Sequence, residues 1–167
     1  MAPLEGIDPT EFRACMALVP NAVAIITCGT PGARTGLTAT ALCSLTDMPP
    51  MLLACVNANA SAHAVIRSTG CFAANIVADR HTELAQRFAG RTGIDGEQRF
   101  TYSGWAALKT GAPVLDGAIA SFDCVLEAEH RHASHSIFIG RVVAAVQCSE
   151  AEPLLYRNGQ FGCFAAS

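Results

Sequence analysis

ASFDCVLEAEHRHASHSIFIGRVVAAV, residues 120–146, holds two long strands and the turn that joins them. Ala120, Phe122, Cys124, Leu126 and Ala128 alternate with Ser121, Asp123, Val125, Glu127 and Glu129. That period of two belongs to a half-buried strand. Ser136 to Val146 supplies an apolar antiparallel partner. Working outward, further strand-like runs lie at 22–27 (AVAIIT), 35–46 (TGLTATALCSLT), 51–56 (MLLACV) and 71–77 (CFAANIV). Asp47-Met48-Pro49-Pro50 is a turn. Near the end, Asn158-Gly159 sits between strand-like residues and predicts a type I′ hairpin, whose two central residues need positive φ.

Helices are fewer. Asp8-Pro9-Thr10-Glu11 carries a capping residue, a proline suited to the first helical position and a glutamate three residues on. Phe12, Cys15, Met16 and Val19 then recur at helical spacing until Pro20. Ser61 caps a short helix that stops at Gly70, and Asp79 caps another through Phe88 that Gly90 ends. Residues 91–117 read as loop. The count is six or seven strands and about three helices, with no repeat and no linker. Regular helices do not separate the strands, which disfavours a doubly wound sheet and favours a β-barrel with peripheral helices.

Composition narrows the class. The 167 residues predict one domain, 1–167. Apolar residues make up 51% and charged residues 15%, which excludes disorder and predicts that part of the outer surface is covered by a partner subunit. Net charge is -3 without any run of Lys or Arg, so nucleic acid is not an expected partner. The eight cysteines form no Cys-x-x-Cys pair and sit mostly in apolar runs, as small hydrophobes do. The N-terminus lacks the basic and apolar regions of a signal peptide, and the longest apolar run carries Arg141 and is too short for a membrane span. The expectation is a reduced cytoplasmic protein.

Several familiar sites are missing. There is no Gly-x-Gly-x-x-Gly after a strand, no phosphate-binding P-loop and no Gly-x-Ser-x-Gly elbow. His130, His132 and His135 invite a metal reading, but no carboxylate or cysteine stands beside them at ligand spacing, and a polar turn between strands accounts for them better. No metal is expected. His135 directly precedes an apolar strand and so can point into a site. TGLTATALCSLT is the unusual segment: Thr35, Thr38, Thr40 and Ser44 offer hydroxyls, while Gly36, Ala39 and Ala41 let a flat ligand approach the backbone. A strand with one solvated threonine face is the plainer reading of that segment alone.

Taken in order, more segments carry a resemblance. TGLTATALCSLT with Pro49-Pro50, CVNANASAHAVIRSTGCFAANIV (55–77) and Arg87-Phe88-Ala89-Gly90 resemble the short-chain flavin reductases. So do Gly111-Ala-Pro-Val-Leu-Asp-Gly117, His135-Ser-Ile-Phe-Ile-Gly140 and Pro153-Leu-Leu-Tyr-Arg157. These are the reductase components of two-component flavin monooxygenases, and the resemblance runs from about Phe12 to Phe161. It implies an FMN-binding split β-barrel, mainly β with peripheral helices, usually a homodimer with flavin near the subunit interface. It implies FMN or FAD as cofactor, NADH or NADPH as hydride donor, and a separate monooxygenase as recipient of the reduced flavin.

The resemblance also implies a site. Arg34, Thr35, Gly36, Leu37, Thr38, Thr40 and Ala41 would lie along the isoalloxazine and ribityl chain. Cys55, Val56 and Asn57 would follow the ribityl and phosphate, and Ser61 and Ala62 open a helix whose free N–H groups suit a phosphate. Arg87 adds charge and Phe88 an apolar face. His135, as the catalytic side chain, and the hairpin Tyr156, Arg157, Asn158, Gly159 would line the nicotinamide side, with Arg157 aimed at the pyrophosphate. This chain departs from the pattern at Ala60 and Ala62, where relatives often carry Ser or Thr, and at Ala133-Ser134-His135, where they show Gly-Asp-His. The alternatives are an oxidase of the pyridoxamine-phosphate type on the same barrel, which would want more basic residues, and a flavin-binding module without turnover.

Overall fold

The computed structural model describes residues 5–148 and 150–164. Asp8 Oδ1 accepts the N–H groups of Thr10 and Glu11 at 2.7 and 3.4 Å and so starts α1, Pro9–Ala17. Its Phe12 and Met16 remain 54% and 48% exposed, so the apolar face expected there is uncovered in a single chain. The strands β1 (Asn21–Ala22), β2 (Ala24–Cys28), β3 (Thr35–Ala39), β4 (Leu42–Asp47) and β5 (Pro50–Asn57) follow, then α2 (Ser61–Thr69) and β6 (Cys71–Ile76). Next come α3 (Thr82–Phe88), β7 (Trp105–Ala107), β8 (Pro113–Leu115), β9 (Ala120–His132), β10 (His135–Gln147), β11 (Leu154–Arg157) and β12 (Gln160–Cys163).

Four expectations change in detail. The run 35–46 is two strands, broken at Thr40-Ala41. Ala60, not Ser61, occupies the cap position of α2. Asp79 opens a 3-10 turn, Asp79–His81, ahead of α3 instead of capping it. The segment 91–117 contains the short pair β7 and β8. The cysteines divide as well: Cys28 and Cys124 are buried, whereas Cys15, Cys43 and Cys163 are exposed.

The main sheet is antiparallel, in the order β3-β2-β6-β9-β10-β5-β4. Its two edge strands, β3 and β4, are consecutive in the chain and separated only by Thr40 and Ala41. Three residue steps reach at most about 11 Å. The seven strands must therefore curl until their edges meet, and the Cys55 N–H, which donates to the Ala41 carbonyl (2.9 Å), extends the β4–β5 ladder up to the join. The result is a barrel with a seam instead of a closed ladder. Gly140 permits the curvature from inside: a Cβ there would stand 2.6 Å from Phe72 and 2.9 Å from the Cys124 side chain.

Strand β2 is buried on both faces. Ala24, Ile26 and Cys28 face the barrel interior with Phe72, Phe138 and Val56, and α2 plugs that interior with Ala62 and Ile66. Val23 and Ile25 face outward into a second cluster under α3 and the β11–β12 hairpin. Asn75 ties the layers. Its amide donates to the Ile25 carbonyl and the Thr27 hydroxyl, and accepts from the Leu115 N–H and the Ser121 hydroxyl, at 2.8–3.1 Å.

Candidate active site

The seam is where the implied residues gather. A cavity of about 260 Å³ is lined by Leu37, Thr38, Ala39, Thr40 and Ala41 on one side, with Cys55, Asn57 and His135 on the other. The antiparallel register of β5 and β10 sets His135 opposite Asn57 and Ile137 opposite Cys55. Asn57 Oδ1 accepts the Asn59 N–H at 2.9 Å, a turn that leads the chain into α2. The Ser134 hydroxyl lies 3.0 Å from His135 Nδ1 and steadies the ring, leaving Nε2 as the nitrogen available to a ligand.

As an edge strand, β3 presents main-chain N–H and C=O groups that no neighbouring strand takes. Small residues keep this edge approachable. Gly36 is required by its other neighbours, because a Cβ would meet the Ile26 carbonyl at 2.6 Å and the Phe88 ring at 2.9 Å. At the start of β3 the Thr35 hydroxyl lies 2.8 Å from that of Ser61, so strand and helix α2 are fixed together. No side chain caps α2, and its first turn keeps donors for an anion.

Other implied residues are placed differently. Thr38 donates its hydroxyl to the Ala85 carbonyl of α3 at 2.6 Å, so its side chain is committed to the fold. Val56 and Ala62 are fully buried in the barrel core and can offer only main-chain groups. Arg34 is paired with Glu97 and lies 4.6 Å over the Phe100 ring. The Arg34 guanidinium and main-chain N–H hold the Glu97 carboxyl below its ordinary range. Arg87 pairs with Glu83 and stacks 3.4 Å from the Tyr102 ring, in a separate crevice with Arg80, His81 and Ser103. Phe88 is buried against Phe100 and Trp105 and shows no face to the cavity.

The hairpin forms as its Asn-Gly pair requires, with φ of 50° at Asn158 and 79° at Gly159. Its tip leans on α1: the Asn158 N–H donates to the Ala17 carbonyl at 2.7 Å, and Arg157 Nε donates to the Leu18 carbonyl at 3.0 Å. Arg157 is thus directed to the end of α1 and not over the cavity. Tyr156, with Phe161, walls a second cavity of about 200 Å³ that shares Thr38, Ala39 and Thr40 with the first. A residue the sequence reading missed, Arg91, lines it too. Among the described residues no three His, Cys, Asp or Glu side chains come together as a metal site, and no helix is long and apolar enough to cross a membrane.

A mainly β split barrel with a polar seam defines the class. Residues 16–164 match the flavin reductase like domain, and the chain belongs to that family. It is 41% identical over 157 residues to the FMN reductase (NADH) RutF 2 of Methylorubrum extorquens, covering 94% of this chain and 90% of that one. It is 40% identical to the FMN reductase (NADH) RutF of Agrobacterium fabrum, over 90% of this chain and 86% of the relative. Among solved structures, the NADH:FAD oxidoreductase SgcE6 of Streptomyces globisporus superposes with a TM-score of 0.86 at 28% identity, over 98% of this chain and 99% of that one. BorF, the flavin reductase component of a bacterial two-component tryptophan halogenase, gives 0.86 at 29% identity, over 96% and 100%.

The residues present fit a flavin. The cavity offers the edge of β3, two alanines, Asn57 and His135, and from Asn57 the chain runs to the uncapped start of α2. A flat heteroaromatic ring thus finds an approachable wall, and a phosphate tail finds N–H donors a few residues on.

Proposed function

We infer that this protein is an NAD(P)H:flavin oxidoreductase that reduces FMN or FAD and passes the reduced flavin to a separate monooxygenase component in the cytoplasm. The observation that carries this reading is the cavity at the barrel seam, bounded by Thr40, Cys55, Asn57 and His135 in a chain of the flavin reductase-like family. Hydride transfer from nicotinamide to flavin is chemistry the cofactors bring, and the protein supplies orientation. The edge of β3 and Thr40 would hold the ring, and Cys55, Val56 and Asn57 would follow the ribityl chain through main-chain groups. Ser61, Thr35 and the first turn of α2 would take the phosphate. His135 Nε2, steadied through Nδ1, would hydrogen-bond at the nicotinamide side, with Tyr156 on the adjoining wall. The chain acts as one domain.

Purified protein mixed with NADH and either flavin tests the reading. Catalytic loss of nicotinamide absorbance with FMN or FAD is the expected result. Bleaching of one flavin per chain without turnover would favour a binding module, and no NADH consumption with either flavin would overturn the reading. Thr40→Leu supplies the site-level arm. Its added bulk closes the approach to β3, and flavin affinity measured by fluorescence quenching falls about tenfold or more.

A further inference from the structure

Gly90, at φ 73°, ends α3 in the left-handed conformation, and the Arg91 N–H closes back on the Gln86 carbonyl at 3.0 Å. This turn carries Arg91 onto the β11–β12 hairpin. There its guanidinium lies 5.6 Å from the Tyr156 ring centroid and 5.9 Å from that of Phe161, and Nη2 donates to the Tyr156 hydroxyl at 3.0 Å. Arg34, Arg67, Arg87, Arg99 and Arg141 each hold a carboxylate. Among the described residues, Arg91 holds one neutral hydroxyl and keeps most of its N–H groups free. It is exposed, and it borders the second cavity, whose Thr38-Ala39-Thr40 wall is also a wall of the flavin cavity.

Two cavities divided by one strand end suit a ligand of two ring systems joined by a charged bridge. An unpaired planar guanidinium at the second cavity matches phosphate oxygens in pairs, and the Tyr156 and Phe161 rings beside it offer a stacking wall. We propose that Arg91 recognises the pyrophosphate of a dinucleotide seated across the Thr38–Thr40 wall, and so discriminates dinucleotides from the mononucleotide FMN. The proposal rests on the flavin reductase reading above. The pyrophosphate belongs to NADH or to FAD, since both present the same chemistry to Arg91.

The test compares wild type with Arg91→Ala and Arg91→Lys in two measurements. Calorimetric titration with NAD+, FAD and FMN reads affinity without turnover, and steady-state assays read KM and kcat. Loss of one charged contact weakens binding about ten- to a hundredfold. If NADH supplies the pyrophosphate, Arg91→Ala weakens NAD+ binding and raises KM for NADH with either flavin, while kcat and FMN affinity hold. If FAD supplies it, FAD affinity falls and those of NAD+ and FMN hold. Arg91→Lys recovers part of either loss, because the charge remains without the fork. A folded Arg91→Ala protein that binds NAD+ and FAD as wild type does overturns the proposal. A wild type that binds both dinucleotides but never oxidises NADH fails the functional reading while leaving the Arg91 titration decisive.

Discussion

Single residues fix this site by what they refuse as much as by what they offer. Gly36 and Gly140 refuse a Cβ, one so that Phe88 can pack behind β3 and the other so that Phe72 can cross the barrel. Asn75 does the opposite, filling the capacity of a buried amide with two donors and two acceptors from three strands. Asn75→Ala would strand the Leu115 N–H and the Ser121 hydroxyl in the core. Urea unfolding should show a loss of about 2–4 kcal/mol. Cys28 and Cys124 give a pH dependence with a defined sign. Burial pushes both thiols up to about 12, while in the unfolded chain they ionise near 8.5. Their contribution is therefore full below about pH 8.5 and is lost as pH rises from there toward 12, since only the unfolded chain releases its protons in that window. Urea midpoints should fall between pH 8 and pH 10, and Cys124→Ala should remove about half of that slope. A midpoint independent of pH over this range would contradict the burial of both thiols.

At the scale of elements, α2 allows the proposed phosphate position to be tested against stability. Its cap residue, Ala60, has φ -72° and ψ 137°, the backbone of an N-cap without the side chain that would use it. Ala60→Asp would bond the free N–H groups of the first turn and stabilise the protein by about 1 kcal/mol. The same carboxylate would occupy and repel the place of a phosphate, so flavin affinity should fall while the melting temperature rises. A variant that gains both would place the phosphate elsewhere. Much of this was legible in the chain. The β9–β10 alternation, the Asn158-Gly159 hairpin and the Asp8 cap are local signals, and local geometry follows them. The break at Thr40-Ala41 was not legible, because neither Gly nor Pro marks it; it arises from the meeting of two sheet edges. Among the candidate site residues, the Leu37–Ala41, Cys55–Asn57 and His135 segments could be named from a family resemblance. Arg34, Thr38, Arg87 and Phe88 share that pattern, yet their side chains are spoken for by Glu97, Ala85, Glu83 and the Phe100 ring. Arg91 carries no periodic signal, and its position depends on a turn at Gly90 and on a hairpin 65 residues away.

For the whole molecule, the seam has a consequence for assembly. An apolar trough of about 570 Å³ opens across β4, β5, β9 and β10, lined by Leu42, Met51, Phe122, Val142 and Ala145 among others; Leu42, Phe122 and Val142 also pack against the barrel core. Ala41 lines the seam cavity, and the next residue, Leu42, lines the trough. Leu45 and Val146, on the same strands, stand 48% and 45% exposed. A monomer in water would leave this apolar surface unsatisfied, whereas a second copy apposed to it would cover it by twofold symmetry. A stable interface of that kind removes about 1,600 Å² from solvent. Sedimentation at micromolar concentration should therefore give a dimer. Ala145 is exposed in the single chain, so Ala145→Glu should leave the fold intact while burying a charge at the contact. That variant should sediment as a monomer with an unchanged circular dichroism spectrum. Because consecutive residues, Ala41 and Leu42, line the seam cavity and the trough, it should also bind FMN more weakly than wild type. A monomeric variant with wild-type flavin affinity would separate the contact from the site, and a wild type that sediments as a monomer would leave the trough for another occupant.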